Sequence, residues 1–171
     1  MSDLSRENNL VLRDETGVLR ESITGARVMI FSCSAYRSMC DALFDQFQSG
    51  AGIILYRMGE GYGRKLIQAL PKLGMSADDM MQGLKSLGFL AGWGKFQLEV
   101  TAPENVSCFV EQCAFLLRRE GAGPNTCYFL SGILGALGGE IYKKKFVAKE
   151  IKCASSGYKN CEFRAFPDTK N

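Results

Sequence analysis

CYFLSGILGALGGEIYKKKFVAKEIKCASSGYKNCEFRAF, residues 127–166, decides how this chain is to be read. Its first part is apolar at helical spacing. Leu130, Ile133, Leu134, Leu137 and Ile141 fall on one side, and Gly132, Gly135, Ala136 and Gly139 form a small-residue stripe on another. Its second part carries two strand-like runs, Phe146 to Cys153 and Cys161 to Phe166, which Ala154 to Asn160 join as a hairpin with a long loop. A helix followed by a β-hairpin is therefore expected. Along this path Cys127 lies in the first turn of the helix, while Glu150, Cys153 and Cys161 flank the hairpin.

The 171 residues include seven cysteines and no histidine. A metal site must therefore rest on thiolates and carboxylates, and Cys127, Glu150, Cys153 and Cys161 are the candidate set, enough to close a tetrahedron around zinc. Spacing alone is weak support. Free cysteines are commonly small buried hydrophobes, and Glu150 reads by default as a surface carboxylate between Lys149 and Ile151. Geometry adds a condition. Three residues apart on a regular strand, Glu150 and Cys153 point to opposite faces, so they can share an ion only if the strand ends or bulges between them. In the site's favour, a helix N-terminus favours a thiolate at Cys127, and a hairpin can bring Cys153 and Cys161 together.

The missing histidine excludes Ser-His-Asp and Cys-His nucleophiles, HExxH metalloproteases and histidine acid–base shuttles. That argues against a plain hydrolase, and for a binding protein before an enzyme. No dinucleotide fingerprint follows a strand; Gly59-x-Gly61-x-Gly63 sits inside a helical pattern and reads as a packing feature.

Working back from Gly121, residues 106–117 alternate at Val106, Cys108 and Val110. They then take helical spacing at Phe109, Cys113, Leu116 and Leu117, which predicts a strand and then a short helix. Phe96, Leu98 and Val100 alternate with polar residues in a strand ended by Pro103. Three amphipathic helices precede it. Ser34 is expected to cap the first, with Tyr36, Met39, Cys40, Leu43, Phe44 and Phe47 recurring before Gly50 stops it. The second runs from Gly52 to Leu70 with Ile54, Met58, Tyr62, Leu66 and Leu70 on one line, ending before Pro71. Its glycines at 59, 61 and 63 should cost about 2–3 kcal/mol against alanines, so close packing or a ligand must compensate. Ser76 with Asp79 resembles a capping box opening the third, whose Met80, Leu84, Leu87 and Ala91 lead to Gly92-Trp93-Gly94. Further upstream, Asn9 to Glu21 reads as a hairpin turning at Asp14-Glu15-Thr16-Gly17, and Arg27 to Cys33 as a run compatible with a strand or a helical lead-in. Residues 1–8 should fray, Gly121 to Pro124 should loop, and Asn125 or Thr126 should cap the last helix. The expected class is α+β: N-terminal helices packed on an antiparallel sheet, then a C-terminal helix followed by a β-hairpin.

At 46% hydrophobic and 23% charged, the chain fits one domain, residues 34–166, with 1–33 as an N-terminal hairpin and strand extension. The start lacks the basic and apolar pattern of a signal peptide, and the longest apolar stretch, Cys127 to Tyr142, is sixteen residues long and holds Glu140, too short to span a bilayer. A cytoplasmic protein with reduced thiols and no membrane association is expected. The net charge of +3 is uneven, with Lys143, Lys144, Lys145, Lys149, Lys152, Lys159 and Arg164 against Glu150 and Glu162. A solvated edge protected by lysines is the first reading, offset of a negatively charged zinc–thiolate site the second. Direct nucleic-acid binding is not expected, since no recognition helix accompanies the patch.

Cys127-Tyr-Phe-Leu-Ser-Gly132-Ile-Leu-Gly135, Glu150-Ile-Lys-Cys153 and Gly157-Tyr-Lys-Asn-Cys161-Glu-Phe163 together resemble the C-terminal signature of the 4-vinyl reductase (vinyl reductase-like) domain family. Ile54-Leu-Tyr-Arg-Met-Gly59-Glu-Gly-Tyr-Gly63 resembles its first helix, so the resemblance covers roughly residues 34–166. It implies an α+β fold shared with ligand-binding nitric-oxide sensors and with vesicle-tethering subunits of Golgi transport, commonly as homodimers. It also implies small-molecule binding. In aromatic-responsive bacterial transcription activators such a domain binds a hydrophobic effector beside a structural zinc held by three cysteines and a glutamate. By resemblance, one zinc per chain would sit at Cys127, Glu150, Cys153 and Cys161. The phenol-sensing relatives hold the ligand hydroxyl with a histidine and a tryptophan; this chain has no histidine, which argues against phenol. It also shows neither an ATPase module nor a DNA-binding domain, so it is expected to sense as a regulatory module without activating transcription itself.

The leading expectation is a stand-alone ligand-binding sensor domain enclosing a small hydrophobic or aromatic molecule. Tyr56, Tyr62, Phe89, Trp93 and Phe129 are its candidate pocket residues, because aromatic side chains between helices and sheet make apolar walls with a polar edge. The alternatives are a thiol and zinc redox-sensing regulator, in which oxidised thiolates release the metal, and an accessory protein of tetrapyrrole biosynthesis. In the last, a zinc with four protein ligands would have no open position for catalysis.

Overall fold

Leu130, Ile133, Leu134 and Leu137 are all at most 1% exposed, as befits a helix apolar on every side, and the fold is arranged around them. The computed structural model describes residues 11–21, 25–69, 76–101, 103–117 and 126–169. The expectations for residues 1–8, for Leu70 and Pro71, and for Gly121 to Asn125 lie outside these.

Strands β1 (Val11–Arg13), β2 (Leu19–Glu21) and β3 (Arg27–Val28) form a small antiparallel sheet in that order. Its first turn is held by Asp14, whose carboxylate accepts from the amides of Thr16 and Val18. The apolar run expected over Arg27 to Cys33 pairs at only two residues, and Met29, Ile30 and Phe31 are exposed. Helix α1 (Cys33–Phe47) is capped by Ser32, not Ser34: the Ser32 hydroxyl accepts from the Ala35 amide. It ends at Gln48, which takes φ 48°, and the Gly50 expected to stop it instead opens α2 (Gly50–Ala69).

Helix α2 corrects the expected face. The line Ile54, Met58, Tyr62, Leu66 points largely outward, with Met58 52% exposed, while Gly52, Leu55, Gly59, Gly63 and Ile67 are buried. The reason is that α2 meets the last helix through backbone. A Cβ on Gly63 would stand 2.9 Å from Ile133 Cα, and one on Gly59 would fall on the Phe129 carbonyl. The glycines are spent on close packing, which offsets their poor helix propensity.

Helix α3 (Ala77–Leu90) opens with the expected capping box, Ser76 and Asp79 each bonded to the other's backbone. Strands β4 (Lys95–Thr101) and β5 (Asn105–Glu111) then pair antiparallel from Lys95↔Glu111 to Thr101↔Asn105. Phe96 and Leu98 face the core as expected, though Val100 does not. The short helix expected after β5 does not form; residues 112–117 turn irregularly, with Gln112 at φ 54°, because Phe115 and Leu117 bury without helical repeat.

Helix α4 (Tyr128–Tyr142), β6 (Phe146–Lys152), a 3₁₀ turn (Ala154–Ser156) and β7 (Cys161–Pro167) complete the chain. Cys127 itself is the N-cap of α4 and makes no side-chain cap bond. The four-stranded sheet runs β4-β5-β7-β6, all antiparallel, with β6 and β7 forming the C-terminal hairpin. Helix α4 lies on β5, β6 and β7, α2 lies on α4, α1 on α2, and α3 against β4 and α4. The class is α+β. Burying each of the four large aliphatic side chains of α4 contributes about 1.5–3 kcal/mol.

Candidate metal centre and aromatic group

The register of β6 against β7 slips between Glu150 and Lys152. This irregularity meets the condition set by strand alternation, since Ile151 swings out to 51% exposure while Glu150 and Cys153 both turn inward. The Cys127 and Cys161 sulfurs are 3.8 Å apart, those of Cys127 and Cys153 4.0 Å. One donor atom each from Cys127, Glu150, Cys153 and Cys161 all lie within 4.8 Å of one another, and all four residues are buried.

Buried charge of one sign needs a partner, and the geometry shows where it is missing. Glu150 Oε2 accepts from the Cys127 amide at 3.0 Å, but Oε1 is buried with no partner. Burial pushes the Glu150 carboxyl up to about 7. Hydrogen bonds from Cys127 and Cys161 pull the Cys113 thiol down to about 5, and Cys127, donating to Cys113, is pushed up. Cys153 is lowered by the Cys127 thiol. One thiolate is thus welcome here, and further ones oppose it unless a cation joins them. A zinc ion bound to sulfur at about 2.3 Å spans sulfur pairs at about 3.8 Å, the spacing found here. The residues fit such an ion.

Two groups around the sulfurs lie outside the expected set. The Thr126 hydroxyl accepts from the Leu117 amide and meets Cys153 Sγ at 3.5 Å and Ser155 Oγ at 3.3 Å; the Ala154 amide donates to Cys161 Sγ. Cys113 Sγ stands 3.7 Å from Cys127 Sγ. Thr126 adjoins a candidate ligand, a signal that could have been read, but nothing local marks Cys113.

Of the aromatic candidates, Tyr62, Trp93 and Phe129 come together, joined by Tyr36 and Phe115. Phe115 is 5.6 Å from Tyr36 and 5.5 Å from both Trp93 and Phe129, and Tyr62 is 5.9 Å from Phe129. Four of these five rings come from separate elements or turns beside α2, and Tyr36 Oη is buried among them with no hydrogen-bond partner. Burial pushes its ionisation well up. Tyr56 lies elsewhere: its hydroxyl accepts from the Ala148 amide at 3.0 Å, and it lines a pocket of about 320 Å³ with Arg57, Glu60, Lys145 and Asp168. Phe89 is 63% exposed and outside the ring group. The lysine run is largely paired on the surface, Lys143 with Glu140, Lys144 with Glu104, Lys145 with Asp168 and Lys152 with Glu162. No helix among the described residues is long and apolar enough to cross a membrane.

Residues 106–167 match the family model of the vinyl-4-reductase domain, the family the sequence resembles. No curated protein sequence matches the chain. Among solved structures, the phenol-responsive sensory domain of the transcription activator PoxR, determined with phenol, is similar with a TM-score of 0.77 at 16% identity, over 92% of this chain and 85% of that one. A trafficking protein particle complex subunit 3 from Naegleria fowleri, covalently bound to palmitic acid, gives 0.60 at 15% identity, over 78% and 90%. A vinyl-4-reductase family protein from Methanocaldococcus jannaschii gives 0.57 at 21%, over 81% and 83%. At these identities the likeness shows a shared fold.

Proposed function

From a chain that carries a vinyl-4-reductase domain over residues 106–167, we propose a ligand-binding sensor domain that encloses a small hydrophobic or aromatic molecule beside a structural zinc centre. The observation that carries this reading is the buried Tyr36 hydroxyl, left without a partner inside a group of four other aromatic rings. A buried hydroxyl that bonds nothing costs about 1–3 kcal/mol, and a ligand with one polar atom on an apolar body removes that cost while its rings or chains bury against Phe115, Phe129, Tyr62 and Trp93. The sensory domain of PoxR, similar over most of both chains, supports the same class of occupant.

Cys127, Glu150, Cys153 and Cys161 would hold the zinc. Bound there it supplies cross-linking, since four protein ligands leave no open coordination position. The chain's own residues explain why that matters to the rings. Cys127 fixes the start of α4, and Phe129 is two residues further on. Residues 34–166 form the working unit, and exposed Met39, Phe47, Ile53 and Met58 on α1 and α2 favour the homodimer, which sedimentation reads directly.

Trp93 is the single tryptophan, so its fluorescence reports on the ring group alone. Titrating a panel of small aromatic and aliphatic alcohols, acids and hydrocarbons should find members that shift Trp93 emission and raise the melting temperature. A flat response across the panel, with native mass spectra showing no bound small molecule, would sink the ligand-binding reading. Metal analysis of the purified protein tests the centre independently, with about one zinc per chain expected.

A further inference from the structure

Four thiols, not three, meet at the proposed centre. Cys127 Sγ has Cys113 Sγ at 3.7 Å as well as Cys161 Sγ at 3.8 Å and Cys153 Sγ at 4.0 Å. Cys113 also hydrogen-bonds Cys161, so it touches two of the three sulfurs of the set. It is only 5% exposed, yet it lines a pocket of about 350 Å³ together with Cys33, Arg37, Gln112 and Leu116. Cys113 thus stands between the buried donors and the outside. Opposite it, Glu150 is 6% exposed and keeps Oε1 unpartnered, an oxygen held in place by one hydrogen bond from the Cys127 amide.

Resting on the metal centre proposed above, we infer that Cys113 is a fifth donor, which takes the place of Glu150 when the ion prefers sulfur, as cadmium does. The chemistry follows from the donor types. A carboxylate suits harder ions and a thiolate softer ones, so two donors at the edge of one site let the ion choose. The exchange breaks the metal–oxygen bond to Glu150 and makes a metal–sulfur bond to Cys113. The thiol proton passes to the freed carboxylate, which leaves the net charge of the site unchanged. A ligand set of three sulfurs and one oxygen becomes four sulfurs, with Cys113 moving by a side-chain rotation at the floor of an open pocket.

The test is cadmium X-ray absorption on the purified full chain after exchange with excess cadmium, beside the Cys113→Ser and Glu150→Gln variants. Four sulfur neighbours are expected in the parent and in Glu150→Gln, and three sulfurs with one lighter atom in Cys113→Ser. The ultraviolet thiolate-to-cadmium absorbance should fall by about a quarter in Cys113→Ser, one sulfur of four. The parent measurement needs no variant to fold. Three sulfurs and an oxygen in the parent, or an unchanged Cys113→Ser spectrum, overturns the assignment and leaves the centre standing. A parent chain that binds neither cadmium nor zinc overturns both.

Discussion

Gly59 and Gly61 lie two residues apart on α2, and replacing each by alanine should move stability in opposite directions. A Cβ on Gly61 meets nothing within 4 Å, so Gly61→Ala gains the difference in helix propensity, about 1 kcal/mol. A Cβ on Gly59 falls on α4 instead, 2.7 Å from the Phe129 carbonyl carbon and 3.0 Å from Phe129 Cα. Carbon atoms in contact rest about 3.5–4.0 Å apart, so the helices must separate by about 1 Å. The obstacle is backbone, which no rotamer change relieves. Taking the upper end of overpacking costs, about 3 kcal/mol, and setting the propensity gain of about 1 against it leaves a net loss of about 2 kcal/mol. In a domain of this size each kcal/mol moves the melting temperature by about 2–4 °C. Gly61→Ala should melt about 2–4 °C above the parent and Gly59→Ala about 4–8 °C below it, by circular dichroism at matched metal content. Equal melting temperatures, or a more stable Gly59→Ala, would refute the account of why α2 carries its glycines.

Other outcomes follow from single groups. Cys153→Ser should lose most bound metal and much stability, read by metal analysis and thermal melting together; a variant that keeps a full complement of zinc removes Cys153 from the ligand set. Tyr36→Phe, without ligand, should gain about 1 kcal/mol in urea unfolding because it deletes an unpartnered buried hydroxyl, whereas a comparable loss would mean the hydroxyl is bonded. Ser76→Ala should cost about 1 kcal/mol through the lost cap. Its pH dependence has a defined sign. Hydrogen bonds from Ser76 hold the Asp79 carboxyl below its ordinary 3.8, so the cap's contribution is present above that value and fades as pH falls through the lower folded one; Ser76→Ala should flatten the acid limb of the stability curve there.

Elements whose cause is local were legible in the sequence. Ser76 and Asp79 define their helix start within one turn, and the alternation of Phe96 and Leu98 places β4. The hairpin of β6 and β7 follows from two apolar runs and a turn, and the stated condition on Glu150 and Cys153 is met by the slipped register. Features decided by neighbours distant in sequence were less legible. The apolar pattern assigns the buried face of α2 to its large residues, because a glycine contributes nothing to a hydrophobic pattern; only the matching small residues of α4 reveal a backbone contact. Cys113 sits where strand and helix spacing overlap, and its place depends on an irregular turn over 112–117. Tyr56, Phe89 and Trp93 look alike as candidate pocket residues, but helix phase sends Phe89 outward and Tyr56 to the Ala148 amide, while Trp93 joins the rings. An unpartnered hydroxyl such as that of Tyr36 has no sequence signature at all.

The backbone contact between α2 and α4 also decides where the molecule is stiff. Gly59 against Phe129, and Gly132 against Tyr56 and Glu60, interlock main chain with main chain, so neither helix can slide without both breaking register. Helix α1 has no such lock. It rests on side chains, Cys40 and Phe44 against Ala51, Leu55 and Leu117, and it carries Tyr36 into the ring group. Side chains can rotate where interlocked backbones cannot. The soft degree of freedom around the rings therefore belongs to α1, and the exposed Met29, Ile30 and Phe31 just before it would travel with any displacement of Tyr36.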